Sequence, residues 1–493
     1  MIACQWEPDG CKARDRSYES SDRFLRRPGC ERHNMGSKKS PAQPAQTIRF
    51  DYGRTGLEVR PPKGPVREIL PGEAPSRSAA DVCVRAHHPP PLADPYQATR
   101  AACRQPIGSP PVAELARGHG QALITISDRT RPVPNRLLLR VLLEELEHGG
   151  IPPEGVTVLV ATGLHSPPGE DEVLRLVGEE VVSQCQVRCH DARDDSAQCS
   201  VGQVAGESIR MDRTYVEAEF RIVTGLIEPH FMAGYSGGRK GVCPGVLDAR
   251  SILHWHRPQL LAHPNAQAGV LLGNPVDREA QEIVNLAPPH FLLNVTIDRE
   301  RRVTGVFAGD WREAWSAGVS QAARSMVVSI DRPADVVVTS AGGYPLDATF
   351  YQAVKGAVTA AGAVRAGGVV ILAASLSEGV GSPEFQDLFR LHADPETFLD
   401  RTTHSPEVHV DQWQAQMLAQ AERRAEVWVY SDGLSSEELG SLYVKPLASP
   451  EEGIDRARTM FPGECSILYL PEGPYVVPVL RERRGQASPP GPA

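Results

Sequence analysis

An α/β fold of two domains is what the sequence predicts. Short β-branched runs alternate with helical patterns over most of the chain, as parallel strands with crossover helices do. A composition break near Ser329–Ala334, around Asp331-Arg332-Pro333, marks a domain boundary. The 493 residues exceed what one hydrophobic core serves.

The elements follow in chain order. Residues 1–46 mix arginine, serine and proline without apolar periodicity and run through Gly36-Ser37-Lys38-Lys39-Ser40-Pro41, so they are expected to be a disordered extension. Met35 lies just before the first predicted strand, Thr47–Phe50, and is an alternative start that an intact peptide beginning earlier would exclude. Cys4, Cys11, Cys30 and His33 could supply zinc ligands, but they lack the paired short spacing of a structural site, and unpaired thiols are expected. A proline-rich connection, His87–Pro95, leads into the strands Ala122–Ser127, Val156–Ala161, Phe220–Thr224, Phe291–Ile297, Val336–Thr339, Val369–Ala374 and Val427–Tyr430. The leucine-rich stretch Asn135–Glu147 reads as a helix with Asn135 as its N-cap. The tail from Gly485, rich in proline and glycine, is expected to fray.

Composition excludes several functions. A net charge of −9 argues against general affinity for nucleic acid, and a mean hydropathy of −0.29 without a long apolar run argues against a membrane span. Ten scattered cysteines and no secretory signal point to the cytoplasm. No strand is followed by GxGxxG, and there is no GxxxxGK[ST], so dinucleotide and nucleoside-triphosphate folds lack their motifs.

Chemistry-bearing residues gather at strand ends. Ser127 leads into Asp128-Arg129-Thr130-Arg131-Pro132, where an arginine could grip a carboxylate; the alternative is a surface turn. Ala161 leads into Thr162-Gly163-Leu164-His165, a histidine suited to acid–base work. In HFMAGYSGGRKGVCPG, 230–245, five glycines surround a hydroxyl, Arg239 and Lys240, a loop that could admit an anion or be a flexible hairpin tip. His230 and His256 flank it, and His256 could bind nickel or zinc, whereas His254, His263 and His290 read as structural. Farther on, Ser340–Asp347 opens a helix with Tyr351 and Lys355 on one face.

Taken together, SDRTRP at 127–132, GLH at 163–165, HFMAGYSGGRK at 230–240, His256 and YQAVK at 351–355 resemble the catalytic subunit of the nickel-dependent lactate racemase family, over about residues 47–480. The resemblance implies two α/β domains, 47–328 and 332–465, with the active site in the cleft, a segment 466–485 returning to the first domain, and a disordered tail 486–493. It implies a nickel-pincer nucleotide covalently attached at Lys240, within a loop made by Tyr235, Ser236, Gly237, Gly238 and Arg239, with His256 completing the nickel coordination. His165 and His230 would be the acid–base pair on either side of a small 2-hydroxy acid. Arg131 and Lys355 would hold its carboxylate, with Asp128, Tyr351 and Gln352 around it. Other proteins would synthesise the cofactor.

One departure bears on the substrate. Lactate-type members commonly carry Gly-Thr-His-Arg where this chain has Gly163-Leu164-His165-Ser166. A racemase or 2-epimerase of an acid larger than lactate, acting through a 2-keto acid, is therefore expected. The alternatives are lactate racemase proper, a dehydrogenase-like enzyme that releases the keto acid, and a non-catalytic binder of the nickel cofactor.

Overall fold

The computed structural model describes residues 46–62, 66–73, 81–405, 407–461 and 463–481. Residues 1–45 of the expected extension, with Cys4, Cys11, Cys30 and His33, and the expected tail 486–493 lie outside them.

Two sheets carry the structure. The first orders its strands Val303–Gly309, Phe291–Ile297, Phe220–Leu226, Ala122–Ser127, Val156–Ala161 and Gln186–Cys189. All run parallel except Val303–Gly309, a hairpin return at the edge. Burial on both faces explains the near-continuous Val, Ile and Leu of these strands. One face meets the helix Asn135–His148 through Leu138, Leu142 and Leu146, and the other meets a core built around Trp255, Trp315 and Tyr215.

The second sheet orders its strands Lys445–Leu447, Ala425–Tyr430, Val364–Ala373, Ala334–Ser340, Ile467–Leu470, Asp81–Val84 and Arg67–Ile69, all parallel. It draws on other residues than the expected 332–465. Arg67–Ile69 and Asp81–Val84 join it from the N-terminal side, and Ile467–Leu470, expected in a returning segment, lies between Ala334–Ser340 and Asp81–Val84 with all four of its residues buried. Val477–Leu480 leaves this sheet and pairs with Val327–Ile330.

Asn135 does not cap its helix. It lies inside the first turn, and its Nδ2 donates to the Ser127 carbonyl at 3.1 Å, which ties the helix start to the end of the strand before it. Among the described residues no helix is long and apolar enough to cross a membrane.

Candidate active site

A cavity of about 1300 Å³ opens at the carboxyl ends of the first sheet. From Ala122–Ser127 the chain continues to Val156–Ala161 on one side, while Phe220–Leu226 lies on the other. The strand order reverses there, which leaves the crevice in which open α/β sheets bind ligands. These three strands deliver Asp128, the 162–166 turn and His230 to it, and the helix Phe350–Ala361 delivers Tyr351, Gln352 and Lys355 from the second sheet. Arg131, Ser236, Gly237, Lys240 and His256 complete the expected residues brought together on its walls.

His165 stands at the lip with 46% of its side chain exposed, and its Nδ1 is 2.6 Å from Asp128 Oδ2. The other oxygen of Asp128 accepts from the backbone N–H and hydroxyl of Thr130 at 3.1 and 2.6 Å. Burial works to raise the Asp128 carboxyl, but the bonds from His165 and Thr130 outweigh it and hold the group below the usual carboxylate range. An ionised Asp128 makes Nδ1 the donor and leaves the lone pair of His165 on Nε2. The Gly163 N–H donates to the Gly245 carbonyl at 3.0 Å, so the histidine turn is fastened to the glycine-rich loop.

That loop begins as a small hairpin, Pro229–His230 against Gly234–Tyr235. His230 is buried, and burial together with Lys240, Arg131 and Lys355 holds its imidazole well below the ordinary value. Lys240, in the turn Gly238–Gly241, is lowered to about 7 by burial and by the Arg131 and Arg239 charges. Lys355 is likewise held well below the lysine range by burial and Arg131, and its ammonium donates to Gln352 Oε1. Arg131 lies 3.4 Å from buried Glu228, whose carboxyl is raised by that burial. Cationic groups thus crowd this part of the site, with Glu228 and Asp128 the buried acids that act on Lys355.

His256 ends the helix Ala249–Trp255, and its Nδ1–H donates to the Ile252 carbonyl at 2.8 Å. Burial pushes its pKa down to about 3. The ring is therefore neutral with its lone pair on Nε2, the form that ligates metals. Trp413 stacks on it, ring centroids 4.2 Å apart, and the Trp413 indole N–H donates to the Tyr351 hydroxyl at 3.0 Å.

Three expected loop residues turn away from the cavity. Arg239 is buried behind the wall, where its guanidinium pairs with Asp277 at 2.5 Å, donates to the Ala233 carbonyl at 2.7 Å and lies 4.2 Å over Trp315. Tyr235 is buried in the same core. Gly238 has φ +54°, and a Cβ there would lie 2.6 Å from the Trp315 ring, so its glycine serves packing of the loop against the helix Glu313–Met326. The charge that Arg239 was expected to offer an anion is spent on Asp277.

The cavity thus joins strand-end histidines, a half-buried lysine and a neutral histidine. The family model described as the lactate racemase N-terminal domain matches residues 70–269, and that of the lactate racemase C-terminal domain matches 330–478. The chain belongs to the lactate racemase family. The lactate racemase of Thermoanaerobacterium thermosaccharolyticum is 32% identical over 437 residues, 87% of this chain and 98% of that protein. That of Lactiplantibacillus plantarum is 32% identical over 376 residues, 76% and 88% of the two chains. The structure of the Thermoanaerobacterium apoprotein superposes with a TM-score of 0.81 at 30% identity, covering 88% of this chain and all of that one. A Thermotoga maritima protein shares the fold, with a TM-score of 0.60 at 17% identity and 80% of this chain covered. The family makes this chain a racemase, an isomerase.

Sequence reasoning missed three residues that surround the expected ones. Glu228 precedes the HFMAGY motif by one residue beyond Pro229 and was available to it as an acid beside an expected histidine. Trp413 and Asp411 line the cavity, but they open and precede a helix far along the chain, and only the fold brings them to Tyr351 and His256.

Proposed function

We propose that the chain racemises or 2-epimerises a 2-hydroxy acid larger than lactate, using a nickel-pincer nucleotide attached at Lys240. The observation that carries this reading is that Lys240 and His256 open into one cavity with His165, His230, Arg131 and Lys355.

The residues fit such a group. A lysine lowered to about 7 carries a large neutral fraction at neutral pH, which an amine needs before it can be acylated. Among the described residues no three His, Cys, Asp or Glu side chains are grouped to hold a metal, so the protein would contribute His256 alone and the organic group would supply the other donors. The cavity has room for a nucleotide beside a small acid. When bound, the group supplies an acceptor and donor for the hydrogen of carbon 2 with its electron pair.

The chain's own residues do the rest. Arg131 and Lys355 bind the substrate carboxylate, which fixes carbon 2 and offsets the repulsion among the cations. Nε2 of His165 takes the hydroxyl proton of one enantiomer, and Asp128 steadies the imidazolium that results. His230 serves the other enantiomer from the buried side. The planar 2-keto acid between them loses the configuration of carbon 2. Ser166 at the lip, small and uncharged, leaves room for a longer chain than an arginine would.

The test uses protein produced alongside cofactor-synthesis proteins. Intact mass should show an adduct at Lys240 with bound nickel, and a chiral screen of 2-hydroxy acids in deuterated water should show inversion without deuterium at carbon 2. Deuterium incorporation there would refute hydrogen return, and lactate turning over faster than every larger acid would refute the size preference.

A further inference from the structure

Asp411 stands at the N-cap of the helix Gln412–Arg424 yet does not cap it. Its backbone is left-handed, φ +63°, and its side chain makes no bond to the first-turn N–H groups, although aspartate is among the best capping residues. The carboxylate is turned to the cavity instead. There the Ser382 hydroxyl donates to its Oδ2 at 2.5 Å, and the Tyr351 hydroxyl is hydrogen-bonded to it. No ion pair to Asp411 exists among the described residues; Glu384 and His165 are its charged or titratable neighbours, along with Tyr351.

Donor counting shows what this wall lacks. The Tyr351 hydroxyl has one proton and two lone pairs. It gives the proton to Asp411 and accepts from Trp413 Nε1, so one lone pair remains. Burial raises the Asp411 carboxyl above the usual range, and whenever it is ionised it has acceptor capacity beyond Ser382 and Tyr351. Between residues 376 and 414 the cavity is lined by Glu378, Glu384 and Asp411 and by no lysine or arginine. Arg131, Lys240, Lys355 and, on Tyr344, Arg301 line the cavity from other segments. Tyr351 lies one helical turn from Lys355, which puts the acceptor wall beside the proposed carboxylate clamp.

We propose that Asp411 selects the substrate: with the Tyr351 oxygen it accepts from hydroxyl groups on carbons beyond carbon 2, favouring a 2-hydroxy acid with a neutral, polyhydroxylated chain and disfavouring one with a second carboxylate. This rests on the reading of the site as one for 2-hydroxy acids, and it names the class.

The experiment measures binding to cofactor-loaded enzyme, by titration calorimetry, of three probes: gluconate, 2-hydroxyhexanoate and malate. Wild type should prefer gluconate. Asp411→Asn should lower gluconate affinity relative to 2-hydroxyhexanoate by about tenfold, the loss of a charge-assisted hydrogen bond, and raise malate relative to 2-hydroxyhexanoate. Ser382→Ala, which only frees one oxygen of Asp411, should move the same ratios less, and it carries the test if a melting curve shows Asp411→Asn unfolded. Ratios unchanged in both variants, wild type binding 2-hydroxyhexanoate more tightly than gluconate, or no binding of any probe would each overturn the proposal. Enzyme that binds gluconate selectively but never inverts it would instead count against the proposed racemisation of a larger acid and leave this inference standing.

Discussion

His165 and His230 are one residue type in opposite surroundings. His165 is half open to solvent beside an ionised carboxylate, and its Nδ1–H points at Asp128. His230 is buried among Arg131, Lys240 and Lys355, and the Ala233 N–H points at its Nδ1 from 3.3 Å. The neutral rings are therefore held as opposite tautomers, His165 with its lone pair on Nε2 and His230 with its proton there. The difference teaches that the fold, through an acid beside one ring and cations around the other, sets what each histidine can do. His165 can accept a proton as it stands. His230 gains one only at Nδ1, displacing the Ala233 N–H, and under the proposed function a substrate carboxylate on Arg131 and Lys355 would favour that gain.

The largest effects break the pair. His165→Ala and His230→Ala should each lower kcat by roughly 10²–10⁴ while nickel content stays at the wild-type level, measured by chiral assay and metal analysis. A loss confined to one variant would reduce the site to a single proton-transfer residue.

The cations around His230 can be read directly. Lys240 is a cation whose pKa is lowered to about 7, so the amine is protonated below that pH and neutral above it. At pH 7 about half of it is neutral, against roughly one part in 3000 for an ordinary lysine near 10.5. In cofactor-free protein, labelling of Lys240 by an acylating reagent, followed by peptide mass spectrometry, should rise between about pH 6 and 8 and then level. Labelling that rises only in step with surface lysines would show that the cluster does not act on Lys240.

Asp128→Asn removes the carboxylate that distinguishes His165. An amide can no longer steady an imidazolium, and its NH₂ can turn toward Nδ1 and reverse the tautomer. A drop of about 10- to 100-fold in kcat with a smaller change in KM is expected, the loss of one charge-assisted hydrogen bond. An unchanged kcat would leave Asp128 a structural partner of Thr130.

The strands that bear these groups were legible because Val, Ile and Leu runs such as Val156–Ala161 are buried on both faces and end at polar turns. Arg67–Ile69 was not, since three residues with two exposed carry no pattern of their own and pair only when the second sheet already exists. In the site, residues at strand ends could be named from the sequence, because a strand end fixes where its next side chain goes. The glycine-rich loop offered no such rule: Lys240 faces the cavity and its neighbour Arg239 faces Asp277. Asp411 was invisible for a related reason, since an aspartate before a helix reads as a cap and only the structure shows it turned elsewhere.

The smallest effect sharpens the comparison at the exposed histidine. Ser166 follows His165, which stands at the exposed lip, and both line the cavity, so a longer substrate would find room here as well as along the wall of Tyr351 and Asp411. Ser166→Arg fills that space and adds a cation at the lip. Small acids keep their contacts to Arg131 and Lys355, whereas a longer chain loses volume, and a contact of one or two methylenes is worth about tenfold in kcat/KM. The ratio of kcat/KM for lactate to that for a longer 2-hydroxy acid should therefore rise about tenfold in Ser166→Arg, measured by competition of the two in one chiral assay. A ratio that stays fixed would place the determinant of chain length on the wall of Tyr351 and Asp411 instead of at the lip.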